Sequence, residues 1–386
     1  MLDQALNERQ PRLDRLQIAA LFGLMLLGAV FIYTATMVNA TSVPWYNQSW
    51  VRQIIWYCLG IGAAVAVCLV DYRVVARWAY AIYWLSILPL IAVLIPGIGT
   101  THGWGAMRWI DLGAFQFQPS EFAKLSFILA QAHFLSRPAD ELRIPLVFFK
   151  ALALMLLPFL LIMKEPDLGS ALVLLPTGLV MLYAAGAPKR YLLQLVLGVG
   201  ALGALFLVDV LFAPENWQVF KLQDYQRRRL LVYFDLNYAP SGAAKAEQLR
   251  LRKQQFDDSH NVRQAMISVG SGGLTGKGWR QGTQNALGYL PRSVAHNDFI
   301  FSVIAEEEGF LGSVLVLTLY GAVLFTGIRI AGQARDRLGR LLAVGVVTLI
   351  FSHVFINIGM NIRLMPVTGV PLPLLSYGGS SVLGSL

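Results

Sequence analysis

Apolar runs about as long as a bilayer is thick recur along this 386-residue chain, and they constrain it more than any motif does. They lie at about 16–37, 51–70, 77–96, 119–135, 146–163, 170–186, 191–212, 298–327 and 341–360. A helix needs about 20 apolar residues to cross a hydrocarbon core about 30 Å thick. Hydrophobic residues make up 56% of the chain and charged ones 14%, against roughly 25% charged in ordinary soluble domains. No single water-soluble core could hide that much apolar surface. The pattern predicts an all-α polytopic membrane protein of about ten transmembrane helices, forming one membrane domain over 1–386. The tenth begins near Ser376 and is expected to be truncated at Leu386.

The first run follows a tail carrying Arg9, Arg12 and Arg15 without a small-residue cleavage site, so it reads as a retained helix rather than a signal peptide. Cys58 and Cys68 stand ten residues apart in one run, where a helix keeps them from bridging. They read as small lipid- or core-facing residues. The net charge of +9 would suggest nucleic acid in a soluble protein. Here the charge sits between the runs and sets topology. Alternate connections hold Arg73 and Arg77, Arg137 and Arg143, Lys189 and Arg190, and Arg329, Arg335, Arg337 and Arg340; the others hold little beyond Arg108, Lys164 and Arg363. The asymmetry predicts a cytoplasmic N-terminus and a large extracytoplasmic loop over 213–297, between the seventh and eighth helices. Within that loop AKAEQLRLRKQQ reads as helical.

Several stretches could carry chemistry. SVGSGGLTGKG, 268–278, is no P-loop, because Gly278 follows Lys277 where Ser or Thr is required. It reads as a flexible turn, or as backbone that approaches a ligand closely with Lys277 as a cation. In QPSEFAKL, Ser120 is expected to cap the fourth helix after Pro119, and Glu121 and Lys124 to pair three residues apart on one face. In KEPDLG, Pro166 ends the fifth helix and Asp167 begins the sixth. DYQRRRL places three arginines near the outer surface, suited to headgroups or to diphosphate. PVTGVPLPLLSYGGSS interrupts the backbone at membrane depth, which is tolerated only where protein or water covers it, so it is expected to line a cavity. His102, His133, His260, His296 and His353 show no metal-ligand spacing, and no nucleophilic serine arrangement can be assembled.

HNDFIFSVIAEEEGF, 296–310, puts Asp298 at the mouth of a helix and Glu306, Glu307 and Glu308 about two turns inside. Asp298 can serve as a cap or as a first-turn carboxylate. At about 100° per residue the three glutamates fan over roughly 200°, and Glu306 lies about 12 Å from Asp298 along the axis. Carboxylates paired for glycoside hydrolysis stand about 5–9.5 Å apart, so a two-carboxylate hydrolase is disfavoured. The glutamates are expected to hold the helix against its neighbours or to line a polar cavity.

Together GAMRWIDLG, QPSEFAKL, KEPDLGSALV, DYQRRR, VRQAMISVGSGGLTGKG, HNDFIFSVIAEEEGFLG and the final Pro/Gly stretch resemble the SEDS proteins, the RodA/FtsW group of peptidoglycan glycan-strand polymerases. GKGWRQGTQ and PVTGVPLPLLSYGGSS look more like RodA. The resemblance implies that lipid II is polymerised for cell elongation. The acceptor's 4-hydroxyl attacks C1 of the lipid-linked donor and releases undecaprenyl diphosphate. It also implies a class B penicillin-binding protein as partner, and a bacterial plasma-membrane location with the site facing outward. The family's catalytic aspartate falls on Asp298. Arg108, Lys124, Arg227, Arg229 and Lys277 match positions that would handle acceptor or diphosphate, and Trp109, Glu121, Asp167, Glu306 and Ser376 match supporting ones. No ligand cluster indicates a cofactor, although a divalent cation such as Mg or Mn on the diphosphate fits this chemistry. Asn297 stands where the family usually has Thr, Arg292 where an acid is common, and the charged stretch near 240–259 looks like an insertion. The rival readings are a lipid-precursor flippase, which needs polar groups near the midplane, and a scaffold for the penicillin-binding protein, which leaves Asp298 and Lys124 without a purpose.

Overall fold

The structure is a computed structural model describing residues 14–36, 44–95, 97–100, 108–111, 113, 116–138, 140–165, 167–212, 224–236, 245–290 and 292–386. Arg9, Arg12, His102, Pro166 and parts of the 213–297 loop lie outside these residues.

Helices form where the apolar runs predict them: α1 (Arg15–Thr36), α2 (Ser49–Cys68), α4 (Ala79–Val93), α5 (Pro119–Leu135), α6 (Pro145–Lys164), α7 (Leu168–Ala184), α8 (Lys189–Phe212), α13 (Ile300–Gln333) and α14 (Arg337–Asn361), while the short α3 (Tyr72–Arg77) occupies the connection between the second and third runs. The long loop contributes α9 (Asp224–Tyr233), α10 (Lys245–Ser271), α11 (Thr283–Ala286) and α12 (Arg292–Ala295), and the chain ends in α15 (Gly379–Ser385). Among the described residues six helices, α1, α2, α6, α8, α13 and α14, are long and apolar enough to cross a membrane, and α4 and α7 are shorter apolar helices. Their starts follow local chemistry. Asp71, Asp167 and Asp336 accept hydrogen bonds from the backbone of α3, α7 and α14, and Pro119 and Pro145 occupy first helical positions that need no N–H donor.

Two findings depart from the sequence reading. The chain is not wholly helical, because β1 (Gly99–Thr100), β2 (Trp109–Asp111) and β3 (Gln116–Phe117) form an antiparallel sheet between α4 and α5. It pairs Gly99 with Ile110 and Ile110 with Phe117, and its strands are too short for a period to show. Ser120 does not cap α5. The cap position is Gln118, and the Ser120 hydroxyl is buried without a hydrogen-bond partner.

Among the described residues the bundle has two apolar cores. In one, α5 packs on α4, α6, α7 and α14 around Phe127, Leu135, Leu174 and Met181; in the other, α13 packs on α1 around Leu24, Ile32, Phe301 and Tyr320. The segment 366–378 crosses between them without regular structure. Several of its carbonyls accept hydrogen bonds from the helices, as buried irregular backbone requires. Tyr57 Oη and Tyr320 Oη donate to Leu374 and Pro373 at 2.5 Å each, Gln53 Nε2 to Ser376 at 3.2 Å, and Asn357 Nδ2 to Val370 at 2.7 Å. At one end of the bundle Arg73 pairs with Asp336 at 2.9 Å, Arg329 with Asp14, and Arg337 donates to the Ala185 carbonyl. This gathers the first residue before α1, the start of α3, the end of α7 and the α13–α14 turn.

α13 is broken at Gly309 (φ 64°, ψ −155°), and the Gly-rich run enters the break. Lys277 N and Gly278 N donate to the carbonyls of Glu306 and Glu307 at 3.0 and 2.9 Å, while Phe310 N and Leu311 N donate to those of Gly273 and Leu274 at 2.9 and 3.1 Å. In an uninterrupted helix those two donors would bond those two glutamate carbonyls. The glycines therefore bring backbone close to the chain's own helix. A Cβ at Gly272, Gly276 or Gly309 would collide with backbone atoms of the opposing segment. The glutamates surround this junction. Glu306 Oε1 accepts from Lys277 Nζ at 2.6 Å, Thr283 Oγ1 at 3.1 Å and Gln284 N at 3.0 Å, and Glu307 Oε2 from Arg280 N at 3.2 Å. Glu308 lines an apolar groove with Leu27, Trp279 and Gly312.

Candidate active site

At the opposite end from the basic turns, four motifs meet around Asp298. The residue lies in the turn before α13, where Phe299 holds the cap position, so it is neither a cap nor a first-turn residue. Its placement comes from its main chain. Asn357 Nδ2 and Asn361 Nδ2, one turn apart on α14, both donate to the Asp298 carbonyl at 3.0 and 3.1 Å, and Ser302 Oγ anchors Asn361 Oδ1 at 2.6 Å. The preceding residues are fixed by the Pro/Gly stretch. Ser376 Oγ donates to the Asn297 carbonyl at 2.6 Å, and Tyr377 N to the His296 carbonyl at 2.9 Å. The Asp298 carboxylate has no hydrogen bond among the described residues and is half-buried.

Arg108, just ahead of β2, reaches Asp167 Oδ1 at 3.5 Å. Asp167 also caps α7 through Ser170 N at 3.1 Å and accepts from Gln118 Nε2 at 3.3 Å. Gly369 (φ 74°) spans the gap; a Cβ there would lie 3.6 Å from Asp298 Oδ2 and 3.7 Å from Arg108 Nη1. Arg229 on α9 donates to the Val367 carbonyl at 3.3 Å, on the same loop. Burial is the largest influence on Asp298 and, with the nearby Asp167 charge, outweighs Arg108 and Arg229, pushing its carboxyl up to about 6. A carboxylate that titrates near neutrality, flanked by two guanidiniums, can accept a proton beside a bound anion.

A second polar group supports the same loop from beneath. Lys124 Nζ bonds Glu121 Oε1 at 2.8 Å, as the three-residue spacing predicts, and His353 Nε2 at 2.9 Å. Lys124 is 1% exposed. The Lys124 ammonium makes His353 Nε2 the acceptor, so the Nδ1–H donates to the Pro371 carbonyl at 3.4 Å. A polar cavity of about 560 Å³, lined by Arg52, Trp56, Trp109, Asp111, Asn297 and Tyr377, adjoins the Asp298 turn.

The sequence-nominated residues thus separate. Asp298, Arg108, Asp167 and Arg229 form one cluster, and Ser376 fastens it. Trp109 lines the adjoining cavity, and Glu121 and Lys124 form a buried pair. Arg227 is half-buried on α9. Lys277 and Glu306 bond each other at the α13 break, away from this cluster's contacts. Sequence reasoning missed Asn357 and Asn361. Two amides four residues apart in an apolar helix were the available signal. It also missed Glu165, buried at the end of α6.

Residues 14–386 match the family model FTSW_RODA_SPOVE, described as cell cycle protein. The peptidoglycan glycosyltransferase MrdB of Escherichia coli K12 is 36% identical over 360 residues, 93% of this chain and 88% of its own. Stage V sporulation protein E of Bacillus subtilis 168 is 35% identical over 373 residues, covering 96% and 93%. Among solved structures, a chain of a peptidoglycan synthase complex that coordinates polymerization and crosslinking superposes with TM-score 0.69 at 30% identity, covering 94% of each chain. The rod shape determining protein RodA of Thermus thermophilus gives 0.63 at 28% identity, covering 96% and 92%.

Proposed function

Because the chain belongs to the FTSW_RODA_SPOVE family of cell cycle proteins, we infer that it is a peptidoglycan glycosyltransferase of the membrane, and that the Asp298 cluster is where it works. The reading carries over the activity for which MrdB is named. Lipid II is the substrate this activity calls for. The donor's diphosphate is a good leaving group once its growing charge is matched, which asks for cations rather than for a proton donor. The attacking 4-hydroxyl asks for one positioned base. Asp298 takes that proton as the oxygen bonds C1 and the C1–O bond to the diphosphate breaks, and Arg108 and Arg229 meet the released diphosphate. One carboxylate and two guanidiniums suffice. The adjoining cavity, with Trp56, Trp109 and Tyr377 in its wall, has the amphipathic lining that sugar rings need.

About ten spans, a cytoplasmic N-terminus and an extracytoplasmic site complete the reading, with the basic turns at one end and the cluster at the other as support. A class B penicillin-binding protein is the expected partner, in keeping with a synthase complex that coordinates polymerization and crosslinking. Among the described residues no group of three or more His, Cys, Asp or Glu side chains is disposed to hold a metal ion. A divalent cation carried on the diphosphate fits this chemistry.

The observation that carries the site assignment is the Asp298 carboxylate, without a hydrogen bond among the described residues while its main chain is held by two asparagines. Purified protein with its partner, given labelled lipid II in liposomes, should make glycan strands, and Asp298→Asn should make none. Full polymerisation by Asp298→Asn sinks the base assignment. Redistribution of lipid II across the bilayer without strands would favour the flippase instead.

A further inference from the structure

Glu165, the residue that closes α6, does not enter the mechanism above. It is 0% exposed, and neither carboxyl oxygen has a hydrogen-bond partner among the described residues. Its backbone N–H bonds the Leu161 and Ile162 carbonyls, so the side chain leaves from the negative end of the α6 dipole. Two residues on stands Asp167, already ionically engaged with Arg108. Burial, the helix end and a neighbouring carboxylate all disfavour a second negative charge there, and only Arg108 opposes them. Burial first and Asp167 second push the Glu165 carboxyl up to about 9.

The groups around it are few. From ahead of β2 it faces Arg108, and from the start of α7 it faces Asp167. On α5 the ionisable groups are Glu121 and Lys124, closed on each other and on His353, and His133 in the last turn. α4 offers Tyr80 and Tyr83, and Tyr83 donates to the Leu154 carbonyl. On its own helix Lys164 is exposed.

Charge counting in the cluster shows what neutrality accomplishes. Arg108 and Arg229 balance ionised Asp167 and Asp298. An ionised Glu165 would leave the site one negative charge in excess, facing a substrate that is itself an anion. We propose that Glu165 is a positioning residue kept uncharged at neutral pH, which leaves Arg108 free to serve the substrate's diphosphate rather than a second internal carboxylate. This rests on the Asp298 reading of the site. The expected activity window opens as Asp298 ionises and closes as Glu165 does, and the upper edge acts on substrate affinity more than on turnover.

The test measures lipid II polymerisation by the purified full chain with its partner between pH 7 and 10.5, for wild type, Glu165→Gln and Glu165→Met. Wild type should show KM for lipid II rising about tenfold per pH unit above about 9. Both variants are uncharged at every pH. Each should keep turnover within about threefold at pH 7.5 and lose that rise. A rise retained in both variants, its absence from wild type, or loss of turnover in both variants with unchanged melting temperature overturns the proposal. Asp298→Asn, run alongside, separates the two readings. If it polymerises, the site assignment has failed; if it is inactive while the Glu165 variants keep the rise, only the Glu165 proposal has.

Discussion

Asp298 shows how a residue can be positioned without being neutralised. Its carbonyl takes two amide hydrogen bonds and its carboxylate takes none among the described residues, so the main chain is fixed without the carboxylate being tied. As the proposed base, Asp298 must be ionised to work, and with its carboxyl pushed up to about 6 its fraction ionised falls as pH falls through that value. Polymerisation should therefore drop about tenfold per pH unit below about 6, read as kcat/KM for lipid II. A flat profile down to pH 4.5 would remove Asp298 from the role of base. Lys124 poses a different question, because its ammonium is held within the fold by Glu121 and His353. Lys124→Ala leaves Glu121 buried and unpaired, which costs about 3–5 kcal/mol. The double variant Lys124→Met with Glu121→Gln removes that charge and should regain most of the melting temperature. If it stays at least about 100-fold down in turnover, the pair has a part in catalysis; if turnover returns with stability, its role is packing.

At the scale of elements, the junction between the Gly-rich run and α13 answers the puzzle of three glutamates inside an apolar helix. The run occupies both the donors and the acceptors that the helix gives up around Gly309, and Lys277 neutralises Glu306. Gly276 sits at φ 80° against the Glu307 carbonyl. Gly276→Ala should cost on the order of 3 kcal/mol from backbone strain and collision together, measured as a lower melting temperature of the purified protein. Lys277→Met and Glu306→Gln should each destabilise, and the double variant should recover at least half of the larger loss. Independent losses that simply add would return Lys277 to the pool of ligand candidates. Both halves of this junction were visible in the sequence, but their pairing was not. Periodicity reports which face a helical residue occupies and nothing about a break that another segment fills. The spans were legible because bilayer thickness demands length and apolarity. Glu121 and Lys124 were legible because three-residue spacing is local. The asparagines that hold Asp298 come from some 60 residues downstream, and local pattern carries no such distance. The sheet was lost for the opposite reason, since two- and three-residue strands are too short to show an alternation.

For the whole molecule, two opposed ends organise the chain. One end gathers arginine-bearing turns, including Arg73 bound to Asp336 and Arg329 bound to Asp14; the other gathers Asp298, Arg108, Asp167 and Arg229. A bilayer between them would keep the basic turns on the cytoplasmic side and leave the site outside, where peptidoglycan is built. The arrangement predicts the accessibility of single thiols. The native Cys58 and Cys68 are both exposed, so a background with Cys58→Ser and Cys68→Ser is needed first. Leu287→Cys then places a thiol on an exposed turn after α11, and Asp140→Cys places one on the exposed α5–α6 connection. A membrane-impermeant maleimide should label Leu287→Cys in intact spheroplasts and Asp140→Cys only after permeabilisation. Each variant should still support polymerisation, since both positions lie outside the cluster. Labelling of Asp140→Cys in intact spheroplasts would reverse the orientation and put Asp298 on the cytoplasmic face. Labelling of both would mean that the chain does not separate the two sides as an ordered set of spans must.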